Sequence, residues 1–262
     1  MENTVDDNKM RITFLGTGTS TGVPVIACDC TVCQSSNPKD NRTRTSIMIQ
    51  TKGKTIVIDC GPDFRAQMLR ENVIDLDAIL FTHEHRDHIA GIDDVRSFNY
   101  VLNKSIDLYA QDRVFDSIKT EFPYIFNCTR YFGAPQVNLQ KITDEPFNLM
   151  GIDVIPINAM HDEMPILGYR IGDFTYITDA SAISDKELEK VKGSKILVLN
   201  ALRNSRHCSH FSLGEAIEVV NKIKPERAYF THMSHFIGLH DVVASKLPEN
   251  MELAWDGLIV NA

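Results

Sequence analysis

The segment Phe81-Thr82-His83-Glu84-His85-Arg86-Asp87-His88-Ile89-Ala90-Gly91 puts four metal-ligating side chains into six residues, directly after the apolar run Ala78-Ile79-Leu80-Phe81. In an extended or tightly turned backbone, His83 and His85 project to one side and can grip one metal ion. Asp87 and His88 begin the next element and reach another. Two ions about 3.5–4 Å apart activate a shared water for in-line attack. A solvated, charged loop is the competing reading, but it does not account for such a cluster at the end of a buried strand. The fold must therefore return further ligands to that strand end from elsewhere in the chain.

Three residues stand in matching positions. His161 follows Ile155-Pro156-Ile157, Asp179 follows Tyr176-Ile177-Thr178, and His232 follows Tyr229-Phe230-Thr231. Each lies just past the C-terminal end of a hydrophobic strand. The patterning predicts strands over Arg11 to Leu15, Ser46 to Gln50, Thr55 to Asp59, Ala78 to Thr82 and Ser105 to Ala110. It predicts helices over Asp63 to Glu71, His88 to Leu102 and Asp112 to Glu121. A β-rich stretch runs from about Val137 to Asp179. After it come a helix at Asp185 to Val191, a strand at Lys195 to Leu199, and a helix with Leu213, Ala216, Ile217 and Val220 at i, i+3, i+4, i+7. Ala228 to Thr231 is a strand, Asp241 to Leu247 a helix, and Met251 to Val260 a strand pair or one bent strand. Strand and helix alternate at both ends around a β-rich centre, which is an α/β pattern of packed sheets with helices outside. No linker or repeat divides the chain, so a single domain over 1–262 is the expectation.

The 262 residues are 43% hydrophobic, enough for a sizeable core. A net charge of −8, from 27 basic and 35 acidic side chains, argues against an extended nucleic-acid partner, which wants clustered Lys and Arg. A small anion remains compatible, because bound metal reverses the local field. The segment Met1 to Lys9 has neither the basic region nor the apolar run of a secretory signal, and no apolar run approaches the roughly 20 residues of a membrane span. A cytoplasmic protein without a membrane partner is the expectation.

Of six cysteines, Cys28, Cys30 and Cys33 form a Cys-x-Cys-x-x-Cys group. In a reducing compartment this reads as a structural Zn²⁺ site rather than a disulfide, and it needs a fourth ligand. His235, three residues beyond His232, is the expected ligand, with His240 as the competitor. Cys60, Cys128 and Cys208 are scattered and read as packing residues. Gly16-Thr17-Gly18 is a weak nucleotide-loop signal, because no helix start follows to receive a phosphate.

Taken together, these motifs resemble the metallo-β-lactamase superfamily, with its His-x-His-x-Asp-His signature and four-layer αβ/βα sandwich. The resemblance implies that His83, His85 and His161 hold one metal, Asp87, His88 and His232 the other, and that Asp179 bridges them. It places Asp59 as a carboxylate that orients a ligand histidine, a turn aspartate being the alternative. Gly22-Val23-Pro24, the cysteine group, Asn200-Ala201-Leu202-Arg203 and His210-Phe211-Ser212-Leu213 are similar to the phosphoribosyl cyclic phosphodiesterases of phosphonate breakdown and, at His210, to the ribonuclease Z-like branch. That resemblance implies two catalytic divalent metals (Zn or Mn), one structural Zn, a homodimer and a small, cyclic phosphodiester as substrate. The implied mechanism has a metal-activated hydroxide attacking phosphorus, with Asp87 orienting or deprotonating it and a protonated His210 serving the departing alkoxide. Arg203 is read as a phosphate contact or an ion-pair partner, and His207 has no role. The alternatives are a tRNA 3′-processing ribonuclease, a thioester or lactam hydrolase, and a cofactor-biosynthesis protein similar to pyrroloquinoline quinone synthesis protein B.

Overall fold

Apolar runs bounded by turn residues become buried strands. The computed structural model describes residues 10–127 and 133–262. Cys128 and the segment Met1 to Lys9 lie outside the described residues. The chain divides into two units: Met1–Leu15, Ser46–Thr143 and Ile259–Ala262, and then Gly16–Thr45 with Asp144–Leu258.

In the first unit, β1 (Arg11–Gly16), β2 (Ser46–Thr51) and β3 (Lys54–Ile58) lie side by side. β2 and β3 form an antiparallel hairpin closed by Lys52 and Gly53, both at positive φ (48° and 68°), the geometry that suits strand twist. Helix α1 (Phe64–Arg70) leads to β4 (Ala78–Leu80), which runs parallel to β3. The histidine-rich segment then opens α2 (Arg86–Ile89), followed by α3 (Val95–Leu102), β5 (Ile106–Ala110), α4 (Asp112–Glu121), α5 (Pro123–Asn127) and β6 (Val137–Lys141). β3 to β6 are parallel throughout, and Phe64, Ile79, Phe81, Ile92, Val95 and Leu108 build the core around them. The helix expected over His88 to Leu102 is broken after Ile89. Gly91 donates its N–H to Cys60 O at 2.8 Å, and a Cβ there would meet Gly61 O at 2.2 Å. That close approach fixes a glycine and interrupts the helix.

The second unit starts antiparallel with β7 (Phe147–Leu149), β8 (Ile152–His161), β9 (Met164–Ile171) and β10 (Phe174–Ile177). It continues parallel through α6 (Asp185–Val191), β11 (Ile196–Asn200), α7 (Leu213–Ile223), β12 (Arg227–Thr231), α8 (His240–Ala244) and β13 (Met251–Leu253). Leu197, Leu199, Phe230, Ile177, Ala216 and Val220 are central to its core. The expected C-terminal strand pair is two strands in different sheets: β13 pairs with β12, and β14 (Ile259–Asn261) returns antiparallel to β1 in the first unit's sheet. Among the described residues, no helix is long and apolar enough to cross a membrane.

Candidate metal centre

The first unit supplies one set of donors at the C-terminal ends of β3 and β4. Asp59 leaves β3 with φ 63°, a left-handed conformation that turns its side chain out of the strand path and into the buried space beneath the histidine segment. Its Oδ1 accepts Thr82 N–H at 2.9 Å, and its Oδ2 accepts the Thr82 hydroxyl and His88 Nδ1–H, each at 2.8 Å. Because the Thr82 hydroxyl proton points to Asp59, His83 Nδ1 must be the donor in its 2.9 Å contact with Thr82 Oγ1. Both histidines thus carry their proton on Nδ1 and keep the Nε2 lone pair for a cation. Burial pushes the Asp59 carboxyl up, and His88 and the Thr82 donors pull it down. His83 and His88 are fully buried with ring centroids 4.0 Å apart, whereas His85, 4.7 Å from His83, is exposed. Asp87 Oδ2 lies 3.4 Å from His88 Nε2.

The second unit holds a further set of donors. Asp179 and His232 follow β10 and β12 at φ 59° and 55°, which repeats the device seen at Asp59. Asn200, at the end of β11, accepts Ala180 N–H at 2.8 Å and donates to Ala180 O at 3.0 Å, which pins the turn carrying Asp179. Phe211 N–H donates to the same Ala180 carbonyl at 2.7 Å and draws His210 alongside. Ser212 and Glu215 form a capping box that starts α7 immediately after, so the placement of His210 is fixed from both sides. His232 Nε2 stands 3.1 Å from Asp179 Oδ2, and His210 Nδ1 stands 3.9 Å from the same oxygen. His161, Asp179 and His210 converge closely enough for one ion, and the His210 ring stacks on His232 at 4.8 Å. His161 donates Nδ1–H to Ser209 O at 2.7 Å, so it too keeps Nε2 for a cation. Burial, then the neighbouring His232, pulls His210 down to about 3.

The cysteine group is gathered around His235 within the second unit. Cys28, Cys30 and Cys33 Sγ lie 3.3, 3.4 and 3.4 Å from His235 Nδ1. A tetrahedral ion with Zn–S near 2.3 Å and Zn–N near 2.0 Å would set these atoms roughly 3.5 Å apart, so the donors fit zinc in number, type and spacing. Cys30 is drawn down to about 6, chiefly by the Cys33 backbone N–H, while burial pushes Cys33 up to about 11. His240 is elsewhere: its Nδ1 accepts from Arg42 Nη2 at 3.3 Å, and its ring meets Trp255 edge-on.

Several sequence readings are revised here. Cys60 is buried in the first unit's core, but Cys208 is exposed. Arg203 forms no ion pair among the described residues; it donates from Nε to Ser205 O at 3.2 Å and from Nη2 to Arg206 O at 2.8 Å. Gly18 serves close packing rather than phosphate, since a Cβ there would meet Arg42 O at 2.8 Å. Thr82 and Ser209, which set the tautomers of His83 and His161, were missed. Thr82 is adjacent to the histidine cluster and could have been singled out. Ser209 acts through its carbonyl, for which a sequence carries no signal.

The orienting role of Asp59 has a direct check. Asp59→Ala should weaken divalent-metal affinity by about 10–100-fold, the usual cost of losing an acceptor behind a ligand histidine. Competition against a chromogenic chelator measures this, and an affinity within twofold of wild type would make Asp59 a turn residue only.

Comparison with known proteins agrees with this architecture. A family model described as the β-lactamase superfamily domain matches residues 54–233. A crystal structure of a diphosphatase from the PhnP family is 42% identical with TM-score 0.89, covering 96% of this chain and 97% of its own. An octanoyltransferase of Porphyromonas gingivalis is 40% identical over 252 residues, 95% of this chain and 51% of the relative. A ribonuclease Z of Methanosarcina acetivorans is 34% identical over 168 residues, 62% of this chain and 48% of the relative. The chain thus spans about half the length of these two curated relatives. With the strand-end donors, the broken helix at Gly91 and the family match running through both, the chain belongs to the metallo-β-lactamase superfamily of metal-dependent hydrolases and has its fold.

Proposed function

We propose that this chain hydrolyses a small phosphodiester, cyclic substrates included, with two divalent ions held by His83, His85 and His161 and by Asp87, His88 and His232, and with Asp179 shared between them. The observation that carries the reading is the tautomer pattern: His83, His88 and His161 each donate Nδ1–H to an oxygen and so offer Nε2 to a cation, while His210 lies beside His161 as an additional imidazole. Divalent ions held there supply Lewis acidity to a phosphoryl oxygen and to water. Asp87 would orient or deprotonate the attacking water. His210 directs an imidazole N–H at the departing oxygen, a use that thioester or lactam hydrolysis would not give it. A structural zinc on Cys28, Cys30, Cys33 and His235 completes the metal complement.

A second reading, hydrolysis of a diphosphate diester, is favoured by the 42% identity to a PhnP-family diphosphatase and uses the same groups. The net charge of −8 disfavours an extended nucleic acid for either.

The test is a hydrolysis screen with defined metals over cyclic phosphates, open phosphodiesters, diphosphate diesters, thioesters and lactams, alongside elemental analysis. The expected result is turnover confined to the phosphate compounds, with two catalytic ions and one zinc per chain. Full activity in metal-free protein, or turnover confined to thioesters or lactams, would overturn the reading.

A further inference from the structure

His207 lies in the second unit beside His210, with ring centroids 5.3 Å apart and planes inclined by 41°, and it is wired differently from the ligand histidines. His83, His88 and His161 donate through Nδ1. At His207 the Ser209 backbone N–H points at Nδ1 from 3.3 Å and the Ser209 hydroxyl lies 3.1 Å from it. A backbone N–H can only donate, so His207 Nδ1 is the acceptor and the ring proton is on Nε2. Such a ring has no Nε2 lone pair for a metal. It presents an N–H donor on a half-buried residue.

Ser209 sits between two imidazoles with opposite effect. Its carbonyl makes His161 a ligand, and its N–H makes His207 a donor. The loop is firmly built. Leu202 N–H donates to Phe211 O at 3.0 Å across its base, Arg203 braces it through Ser205 O and Arg206 O, and Asn204 Nδ2 donates to Ile237 O at 2.9 Å. Residues 203–210 contain Arg203 and Arg206 and no carboxylate; Arg206 is paired with Glu215, Arg203 spends its donors on carbonyls, and Asp162 offsets part of the effect of Arg203 on His207. An N–H donor near a guanidinium that carries no ion pair among the described residues suits an anionic acceptor.

We propose that His207 is a specificity-determining residue whose Nε2–H hydrogen-bonds a second phosphoryl group of the substrate, next to the one served by His210. The chain would then prefer diphosphate diesters to esters with a single phosphate. This rests on the reading of the chain as a hydrolase of small phosphate esters. The unstacked rings can address separate acceptors, and the rigid loop holds them to one spacing.

The test compares the metal-loaded wild type with His207→Phe, which keeps a ring without a donor, and with His207→Gln, whose Nε2 amide restores one. Substrates are ADP-ribose, with two phosphates, and bis(p-nitrophenyl) phosphate, with one. His207→Phe should raise KM for ADP-ribose about 10-fold with kcat within threefold, a hydrogen bond to an anion being worth at least that ratio. KM for the monophosphate ester should stay within twofold, and His207→Gln should recover most of the loss. Calorimetric titration with inorganic pyrophosphate and orthophosphate gives a readout independent of turnover: the Phe substitution should weaken pyrophosphate about 10-fold and orthophosphate little. Equal KM changes on both substrates, equal weakening of both anions, or a Gln variant as impaired as Phe would overturn the assignment. If the wild type hydrolyses neither ester, the proposed activity fails on its own, and the pyrophosphate titration still decides whether His207 reads a second phosphate.

Discussion

His210→Ala is expected to retain both catalytic ions and to lose roughly 10²–10⁴-fold in turnover on a phosphodiester with an alkyl leaving group, the scale of positioned acid–base assistance. Its surroundings sharpen the prediction. Burial and the stacked His232 hold it at about 3, so at neutral pH the ring is uncharged. Help to the leaving group must then come from a neutral N–H. Alternatively, the ring takes up a proton as the anionic substrate arrives and offsets that burial. In either case a nitrophenyl ester, whose leaving group needs little help, should suffer far less than an alkyl ester. Equal losses on both would assign His210 to stabilising charge on phosphorus, and near wild-type rates on both would remove it from the mechanism. Metal analysis of the variant is essential, because His161 and Asp179 share the cluster with His210.

Most of the architecture was legible because apolar strand ends and ligand types coincide. Asp179 and His232 can be picked out without a structure because each follows three apolar or β-forming residues, and both indeed leave their strands in the left-handed conformation that turns a side chain aside. The helix boundaries at Asp112–Glu121 and Asp185–Val191 follow from amphipathic periodicity alone. Where reading failed, the deciding interaction was non-local. Periodicity over His88 to Leu102 is helical, but the backbone of Cys60 and Gly61 approaches Gly91 and breaks the helix. Met251 to Val260 is uniformly strand-like in pattern, yet its two ends join different sheets, a matter of pairing partners that composition does not encode. Arg203 reads as an ion-pair partner because its carbonyl partners are invisible in a sequence.

The second large effect is on stability. Cys30→Ala or His235→Ala should lower the melting temperature by about 10–15 °C while the folded fraction keeps intrinsic turnover within a few-fold. This follows because a closed S₃N zinc site contributes folding energy and leaves no open position for water. At 2–4 °C per kcal/mol for a chain of this size, the fall corresponds to roughly 3–5 kcal/mol, less than the metal's gross binding energy. The shortfall has a structural cause: the zinc is not the sole tether of residues 16–45 to the rest of their unit. Asp256 accepts Thr17 and Thr43 hydroxyls at 2.8 and 2.6 Å, buried Arg42 donates to Ala254 O at 2.8 Å, and Asp40 Oδ1 accepts His240 N–H at 2.7 Å. Burial draws Arg42 down to about 10, still far above neutrality, so this network keeps its charge when the zinc is lost. Val23, Val32 and Leu239 add a small apolar cluster around the cysteines. The loop should therefore loosen rather than detach. Calorimetry together with activity per folded molecule distinguishes the roles: an unchanged melting temperature with lost turnover would move this zinc from scaffold to chemistry, and a chain that no longer folds at all would show that the polar network depends on it.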